Sequence, residues 1–397
     1  MFLLDNPVQN YAWGSRTSLA ELLGRPPSAL PEAELWIGAH PKAPSRLSDG
    51  RSLLEAIGAD PLGMLGSDVQ ARFGAELPFL LKVLAVDAPL SLQAHPNVEQ
   101  AMRGFAREEA AGIPRDAPMR TYRDPNHKPE LLCALTPFEA LSGFRPASEA
   151  AELFEELGVP DLAAELRACP APLARVFARI MTLPAAERLS LSSDVLQRCE
   201  RAACGSSRFG AALGWAARLG LAYPGDAGAV ASLLLQHVRL EPLQAVFLEA
   251  GRLHAYLSGT GVEIMANSDN VLRGGLTPKH VDVPELLDVL RFDAPPAAAV
   301  ATHTLDSGEV VYETPAPEFA LSRLELVTER PLRMAARGPE LLLCVDGQAT
   351  VEVGARAGAP RALRRGQACF LSASAGAYAV GGTGRVFRAT VGAARTA

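Results

Sequence analysis

Apolar residues in this chain follow one period in the middle and another on either side. From Ala147 to Leu221 they recur at helical spacing. Ala150, Leu153, Phe154 and Leu157 fall on one stripe, and Leu173, Val176, Phe177, Ile180 and Met181 on another. Pro160, Pro170, Pro184 and Pro224 break these pieces. Before about Pro146 and after about Glu318 the apolar runs are short and punctuated by Gly and Pro, as in antiparallel sheets. Strands are expected at Glu34–Gly38, Phe79–Val86 and Glu130–Leu135. More are expected at Leu321–Leu326, Glu340–Val345, Ala349–Val353, Ala368–Leu371, Tyr378–Val380 and Val386–Val391. Between these regions the pattern predicts a helix over Ala229–Val238, a strand over Ala245–Leu257 and a glycine-rich loop over Gly259–Gly275. A short helix capped by Asp282 should then run to Leu290. The expected class is mainly β with a helical domain.

Composition narrows the function classes. A chain of 397 residues holds two or three domains, and 48% apolar residues exclude disorder. A net charge of −6 provides no basic face for nucleic acid, yet permits a basic pocket for a small anion. The cysteines (133, 169, 199, 204, 344 and 369) form no Cys-x-x-Cys and no zinc-finger spacing, so reduced structural thiols are expected. Met1 to Ser15 has no secretory pattern, and Lys82 and Asp87 interrupt the longest apolar run. A cytoplasmic protein without membrane contact is expected.

Three segments carry metal-ligand chemistry. Gln93 and His95 follow the apolar run Leu77 to Ala88 and would leave one face of a strand before Pro96 ends it. Asn126-His127-Lys128-Pro129-Glu130 would put Lys128 and Glu130 on one face and His127 on the other. Lys128 and Glu130 alone read equally as an ion pair, and His254, within an apolar run, as a hydrogen-bonded core histidine. Taken together, Gln93, His95, Glu130 and His254 supply two nitrogens and two oxygens without thiolates. That set suits a catalytic Zn²⁺ better than a closed structural one. Trp13 and Trp36 read either as a sugar-stacking surface or as core anchors.

The chain resembles the type I phosphomannose isomerase family. The matching blocks are Gln9-Asn10-Tyr11-Ala12-Trp13-Gly14-Ser15 and Ala33-Glu34-Leu35-Trp36-Ile37-Gly38-Ala39-His40-Pro41. They continue with Leu81-Lys82-Val83-Leu84 to Gln93-Ala94-His95-Pro96, then Asn126 to Glu130, and Gly251 to Lys279 with Asn270-Val271-Leu272-Arg273-Gly274-Gly275. The blocks recur in order over residues 1–290.

The resemblance implies a discontinuous cupin-like jelly-roll catalytic domain (1–145 and 226–317), a helical domain (146–225) and a C-terminal cupin-like β-barrel (318–397). The last also resembles a cupin in its Val345 to Val351 and Arg365 to Leu371 segments but lacks metal ligands. One zinc per chain would be held by Gln93, His95, Glu130 and His254. Arg273 would be catalytic, and Lys82, Ser91, Tyr256 and Lys279 would contact substrate. Glu263, Asp269 and Lys128 would line the pocket as candidates for the base. The implied reaction interconverts mannose 6-phosphate and fructose 6-phosphate by enediol proton transfer, linking glycolysis to mannose and GDP-mannose metabolism. A monomer acting on a hexose 6-phosphate is expected.

The residues leave the base open. Glu263 and Asp269 also read as turn-capping groups in a loop, and Lys128 serves only if its pKa is depressed. Two other functions fit part of the pattern. A cupin-type metal oxygenase would use a two-His, one-carboxylate set, against which the extra Gln93 and the cations count. A non-catalytic sugar-phosphate sensor would not require both metal and anion groups intact.

Overall fold

The computed structural model describes residues 1–168, 170–328, 330–336, 338–354 and 360–393. Its centre is the strand Phe79–Val86, whose eight residues are all buried. Alternation sorts them. Leu81, Val83 and Ala85 join Leu35, Ile37, Leu131, Val262 and Ile264 of neighbouring strands in one apolar core. Lys82 points the other way. It lies opposite Trp36 in the strand Glu34–Ile37 and opposite Glu263 in the strand His254–Ala266. One face of this sheet is therefore core and the other carries charge.

The sheet has ten strands. Its main path runs Ala245–Leu248, Glu130–Ala134, His254–Ala266, Phe79–Val86, Glu34–Ile37 and Val8–Gln9, all antiparallel. The strand His254–Ala266 serves two sets of partners. Its first half pairs with Phe138–Phe144 and its second half with Phe79–Val86 and Glu130–Ala134. The changeover is at Gly259, where φ is +119° and a Cβ would lie 2.7 Å from Phe138 Cδ2. This overturns the expected loop from Gly259: the strand continues to Ala266, and the glycine allows a close crossing rather than a turn. The expected strand Ala245–Leu257 is likewise two strands, Ala245–Leu248 and His254–Ala266, separated at Glu249–Leu253.

Five helices, Ala147–Glu156, Pro160–Arg167, Pro172–Thr182, Ala185–Ala203 and Gly210–Ala222, form the helical region. Pro160 and Pro172 sit in first turns, where a missing N–H costs nothing. The apolar stripe of Pro172–Thr182 buries Val176, Phe177 and Ile180. Phe177 meets Phe144 edge-on at 5.6 Å between centroids, and Phe144 stacks on Phe292 at 4.5 Å. The helices therefore share a core with the strand Phe138–Phe144. The helix expected over Ala229–Val238 is cut short. Ala227–Ala231 is helical, but Leu235–Leu240 pairs with Phe138–Phe144 as a strand, tertiary pairing overriding local propensity. The helix capped by Asp282 spans Val283–Val289. Four short helices went unexpected among the first 145 residues: Ser18–Leu22, Leu53–Ala59, Pro61–Leu65 and Ser67–Phe73. None is long enough to show a helical period.

The second ten-stranded sheet is C-terminal, and its long strands Glu340–Val353 and Ala377–Thr390 each join two of the expected pieces. Its interior is filled by residues such as Leu342, Val351, Val380 and Val386. Phe2–Asp5 also belongs to it, paired with Ala368–Leu371. The whole is mainly β and cupin-like with a helical domain, as expected. Cys133, Cys199, Cys204, Cys344 and Cys369 are free thiols, and Cys169 lies outside the described residues. No described helix is long and apolar enough to cross a membrane.

Phe177 is fully buried at the seam between helices and sheet. Phe177→Ala should lower unfolding free energy by about 3–5 kcal/mol, read as a reduced denaturant midpoint. A shift below about 1 kcal/mol would contradict the shared core.

Candidate metal centre and substrate cavity

His254 opens the strand His254–Ala266, Glu130 opens Glu130–Ala134, and His95 follows the two-residue strand Gln93–Ala94. All three side chains are buried, and their donor atoms lie within 4.8 Å of one another. His95 Nε2 is 3.5 Å from Glu130 Oε1, and His254 Nε2 is 3.4 Å from Glu130 Oε2. Donors on a tetrahedral ion with bonds of about 2.0–2.1 Å would be separated by roughly 3.4 Å.

The tautomers are set from behind. His95 Nδ1 is 2.7 Å from the Asn270 carbonyl, and His254 Nδ1 is 2.9 Å from the Arg252 carbonyl. A carbonyl only accepts, so each Nδ1 carries the proton and each Nε2 presents a lone pair. Both Nε2 atoms and Glu130 Oε2 have no hydrogen-bond partner. Burial, reinforced by Lys128, pushes His95 down to about 4, so its ring is neutral at pH 7. Burial alone would raise the Glu130 carboxyl, but the Lys128 ammonium beside it holds it well below the usual range. Two lone pairs thus face a carboxylate away from water, which costs several kcal/mol unless a cation lies between them. The residues fit a divalent metal.

Gln93 adds the fourth expected donor on the same side. It is the antiparallel partner of both His254 and Arg273, in the strand Leu272–Arg273. Directly opposed residues share a face, so Arg273, Gln93 and His254 form a row. Gln93 and Glu130 also line a cavity of about 1070 Å³.

Charges along that cavity separate into two groups. The first is paired. Lys82 Nζ lies 3.3 Å from Glu263 Oε2 and 3.6 Å from Glu34 Oε2, and Tyr256 donates to Glu263 Oε1 at 2.8 Å. Burial opposes the Lys82 charge, but Glu34 and Glu263 outweigh it and raise its pKa. Burial raises the Glu263 carboxyl despite Lys82. Lys128 Nζ is 3.1 Å from Glu130 Oε1, and Lys42 Nζ is 2.8 Å from Asp269 Oδ2. Burial would raise Asp269, but Lys42 and His40 keep it below the usual range. Glu263 is therefore not in a loop, as expected from sequence, but inside the strand His254–Ala266.

The second group is unpaired. Arg273, Lys279 and Arg123 line the cavity, and among the described residues none has a carboxylate within 4.0 Å. Arg273 Nη1 reaches only the Ser91 hydroxyl, at 3.4 Å. Arg273 lowers Lys279, followed by burial and Arg123. The turn behind them is built by Gly275, whose φ is +113° and whose Cβ would lie 2.7 Å from Gly228 Cα. Asp226 accepts the Thr277 N–H at 3.2 Å, so the end of the helical region supports this wall.

The sequence expectation placed Lys82 with Lys279 and Ser91, whereas the structure places it among carboxylates. Trp36 is both anchor and wall: its Nε1 donates to Glu34 at 2.5 Å, and it lines the cavity. Trp13 stacks on Tyr11 at 5.9 Å along the same rim. His127 points away from Glu130 to Glu318, at 2.7 Å. Sequence reasoning passed over Glu34, Arg123 and Asn270. Asn270 is fully buried, orients His95 through its carbonyl, and accepts the Arg123 N–H at 2.7 Å. Its place in a matched block was the only signal for it.

His40, like His95, is pushed down to about 4 by burial. Folded, both stay neutral; unfolded, both take a proton near pH 6.5. Metal-free protein should therefore keep this stability above pH 6.5 and lose it as pH falls toward about 4. Denaturant midpoints at several pH values across that window would check this, and a flat profile would contradict it.

The model of the type I phosphomannose isomerase catalytic domain matches residues 1–147. The mannose-6-phosphate isomerase of Escherichia coli (strain K12) is 42% identical over 97% of this chain and 98% of its own length. The human mannose-6-phosphate isomerase is 34% identical over 94% of each. The solved mannose 6-phosphate isomerase of Salmonella typhimurium, bound to its substrate and zinc, is 39% identical. It superimposes with a TM-score of 0.90 over 99% of this chain and 100% of that one. The fold, the buried donor set and these relatives agree: the chain belongs to the type I phosphomannose isomerase family of aldose–ketose isomerases.

Proposed function

We propose that this protein interconverts mannose 6-phosphate and fructose 6-phosphate with one zinc ion, and that it joins glycolysis to mannose and GDP-mannose metabolism. The carrying observation is the facing of His95, His254 and Glu130 lone pairs beside a cavity that Glu130 itself lines and whose wall, among the described residues, holds cations without a carboxylate partner. Gln93, His95, Glu130 and His254 would hold the zinc. When bound, Zn²⁺ supplies Lewis acidity and a template for sugar oxygens. The solved relative with substrate and zinc bound supports this reading.

The chain's own groups divide the remaining work. Arg273, Lys279 and Ser91 bind the phosphate dianion, since no carboxylate among the described residues pairs with either cation and the Ser91 hydroxyl sits beside Arg273. Arg273 stays cationic, as a guanidinium does at any working pH. Lys82 stays protonated among its carboxylates, so it orients rather than abstracts. Tyr256 is held protonated by burial and then by Glu263. Asp269, held low by Lys42, is a poor base at neutral pH. Lys128 is committed to Glu130. We assign the proton transfer between C2 and C1 to Glu263, whose carboxyl burial raises toward neutrality while that of Asp269 is lowered. The catalytic domain in this reading comprises 1–145 and 226–317, flanked by a helical domain (146–225) and a C-terminal domain (318–397), acting as a cytoplasmic monomer.

Chelation should abolish mannose 6-phosphate turnover, and stoichiometric Zn²⁺ should restore it. Activity that persists after verified metal removal would refute the zinc role. Glu263→Gln should lower kcat at least about 100-fold with zinc content unchanged. In the unsubstituted protein, the acid limb of kcat/KM should lie above the ordinary glutamate pKa of 4.5, because burial raises this carboxyl. An unchanged kcat in Glu263→Gln would move the base elsewhere.

A further inference from the structure

The cavity's cations do not all have the same standing. Lys42, Lys82 and Lys128 each face a carboxylate within the cavity. Arg120 is committed outside it, to Glu108 and Glu109 at 2.9 and 2.7 Å. Arg273, Lys279 and Arg123 remain. The other lining carboxylate, Asp282, accepts the Glu285 N–H as a helix cap and pairs with none of the three. Unpaired cations facing one another across a concave wall repel, and an anion between them relieves that repulsion.

Arg123 is held where it is by more than its side chain. Tyr122 before it is buried, donates its N–H to Glu108 Oε2 at 2.8 Å, and donates its hydroxyl to Glu285 at 2.6 Å. The Arg123 N–H goes to Asn270 Oδ1 at 2.7 Å. Asp124 after it accepts the Ser268 hydroxyl at 2.8 Å and the Asp269 N–H at 2.7 Å. Residues 123–126 are thus stapled to residues 267–270, three positions before Arg273. The main chain is fixed on both sides while Arg123 lines the cavity with no side-chain partner among the described residues. Burial and then Arg123 lower Arg273, and Arg123 also contributes to lowering Lys279, so the three sense one another electrostatically.

We propose that Arg123 is a third phosphate-binding cation, which with Arg273 and Lys279 encloses the phosphate of the hexose phosphate and sets the preference for phosphorylated sugars. This rests on the reading above, in which Arg273 and Lys279 take the phosphate. A guanidinium offers paired donors to phosphate oxygens, and removing one charge-assisted contact costs about tenfold in affinity or more. The phosphate is remote from the C1–C2 proton transfer, so the effect falls on binding rather than on chemistry.

The test compares Arg123→Gln and Arg123→Lys with the unsubstituted zinc enzyme. Arg123→Gln should raise KM for mannose 6-phosphate, and Ki for inorganic phosphate, by about tenfold or more, with kcat within about twofold. Arg123→Lys should recover part of both. Zinc content and thermal midpoint should be unchanged. Unchanged KM and Ki in Arg123→Gln would overturn the inference. So would equal losses in both variants together with a lowered thermal midpoint, since that marks a structural role. The underlying reading fails separately. If the unsubstituted enzyme does not turn over mannose 6-phosphate, or Arg273→Gln leaves phosphate Ki unchanged, the phosphate site itself is misplaced whatever Arg123 does.

Discussion

Two imidazole lone pairs aimed at one buried carboxylate are the constraint around which this molecule is built. His95 and His254 hold that aim because backbone carbonyls take their Nδ1 protons, and Glu130 stays ionised beside Lys128. Such a cluster is repulsive by itself. Its persistence depends on the stiffness of the surrounding sheet and on a cation to fill it. The strand His254–Ala266 carries most of this load. It starts with His254, pairs with Gln93, crosses at Gly259 and presents Glu263 opposite Lys82.

From that centre the cavity changes character along its length. Near the histidine–carboxylate cluster, Lys82 and Lys128 each meet a carboxylate, so charge is fixed and positions are rigid. Around Arg273, positive charge is left uncompensated. A protein of net charge −6 has carboxylates to spare, so their absence here is local arrangement rather than shortage. The paired region suits orientation of a neutral sugar; the unpaired region suits a dianion. Elements outside the central sheet support both. Asp226 braces the turn that leads to Lys279, and His127 links the Lys128 segment to Glu318.

Much of this was legible in the residues, and the failures have identifiable causes. The helical stripes of 147–221 were readable because each helix there buries one face over several turns. Phe79–Val86 was readable as a continuous apolar run. Leu235 to Val238 was misread as helix because the pairing partner of that strand, Phe138–Phe144, is almost one hundred residues away. Gly259 was misread as a turn because a glycine that permits a strand crossing looks the same in sequence as one that permits a reversal. In the site, the donor residues Gln93, His95, Glu130 and His254 announced themselves by type, whereas Glu34 and Arg123 did not stand out from other charged residues. Asn270 did not either, since it acts through a carbonyl that every residue possesses.

The amino-acid order alone determined the donor types, their spacing and the alternation that puts Lys82 and its neighbours on the face opposite the core. These follow from local geometry, because a two-residue period needs no knowledge of distant chain. Which donors meet, which lysines are neutralised and which cations stay unpaired were decided only by the tertiary structure. Those outcomes depend on distances between segments such as 93–95, 130 and 254, and strand register, not local sequence, sets those distances.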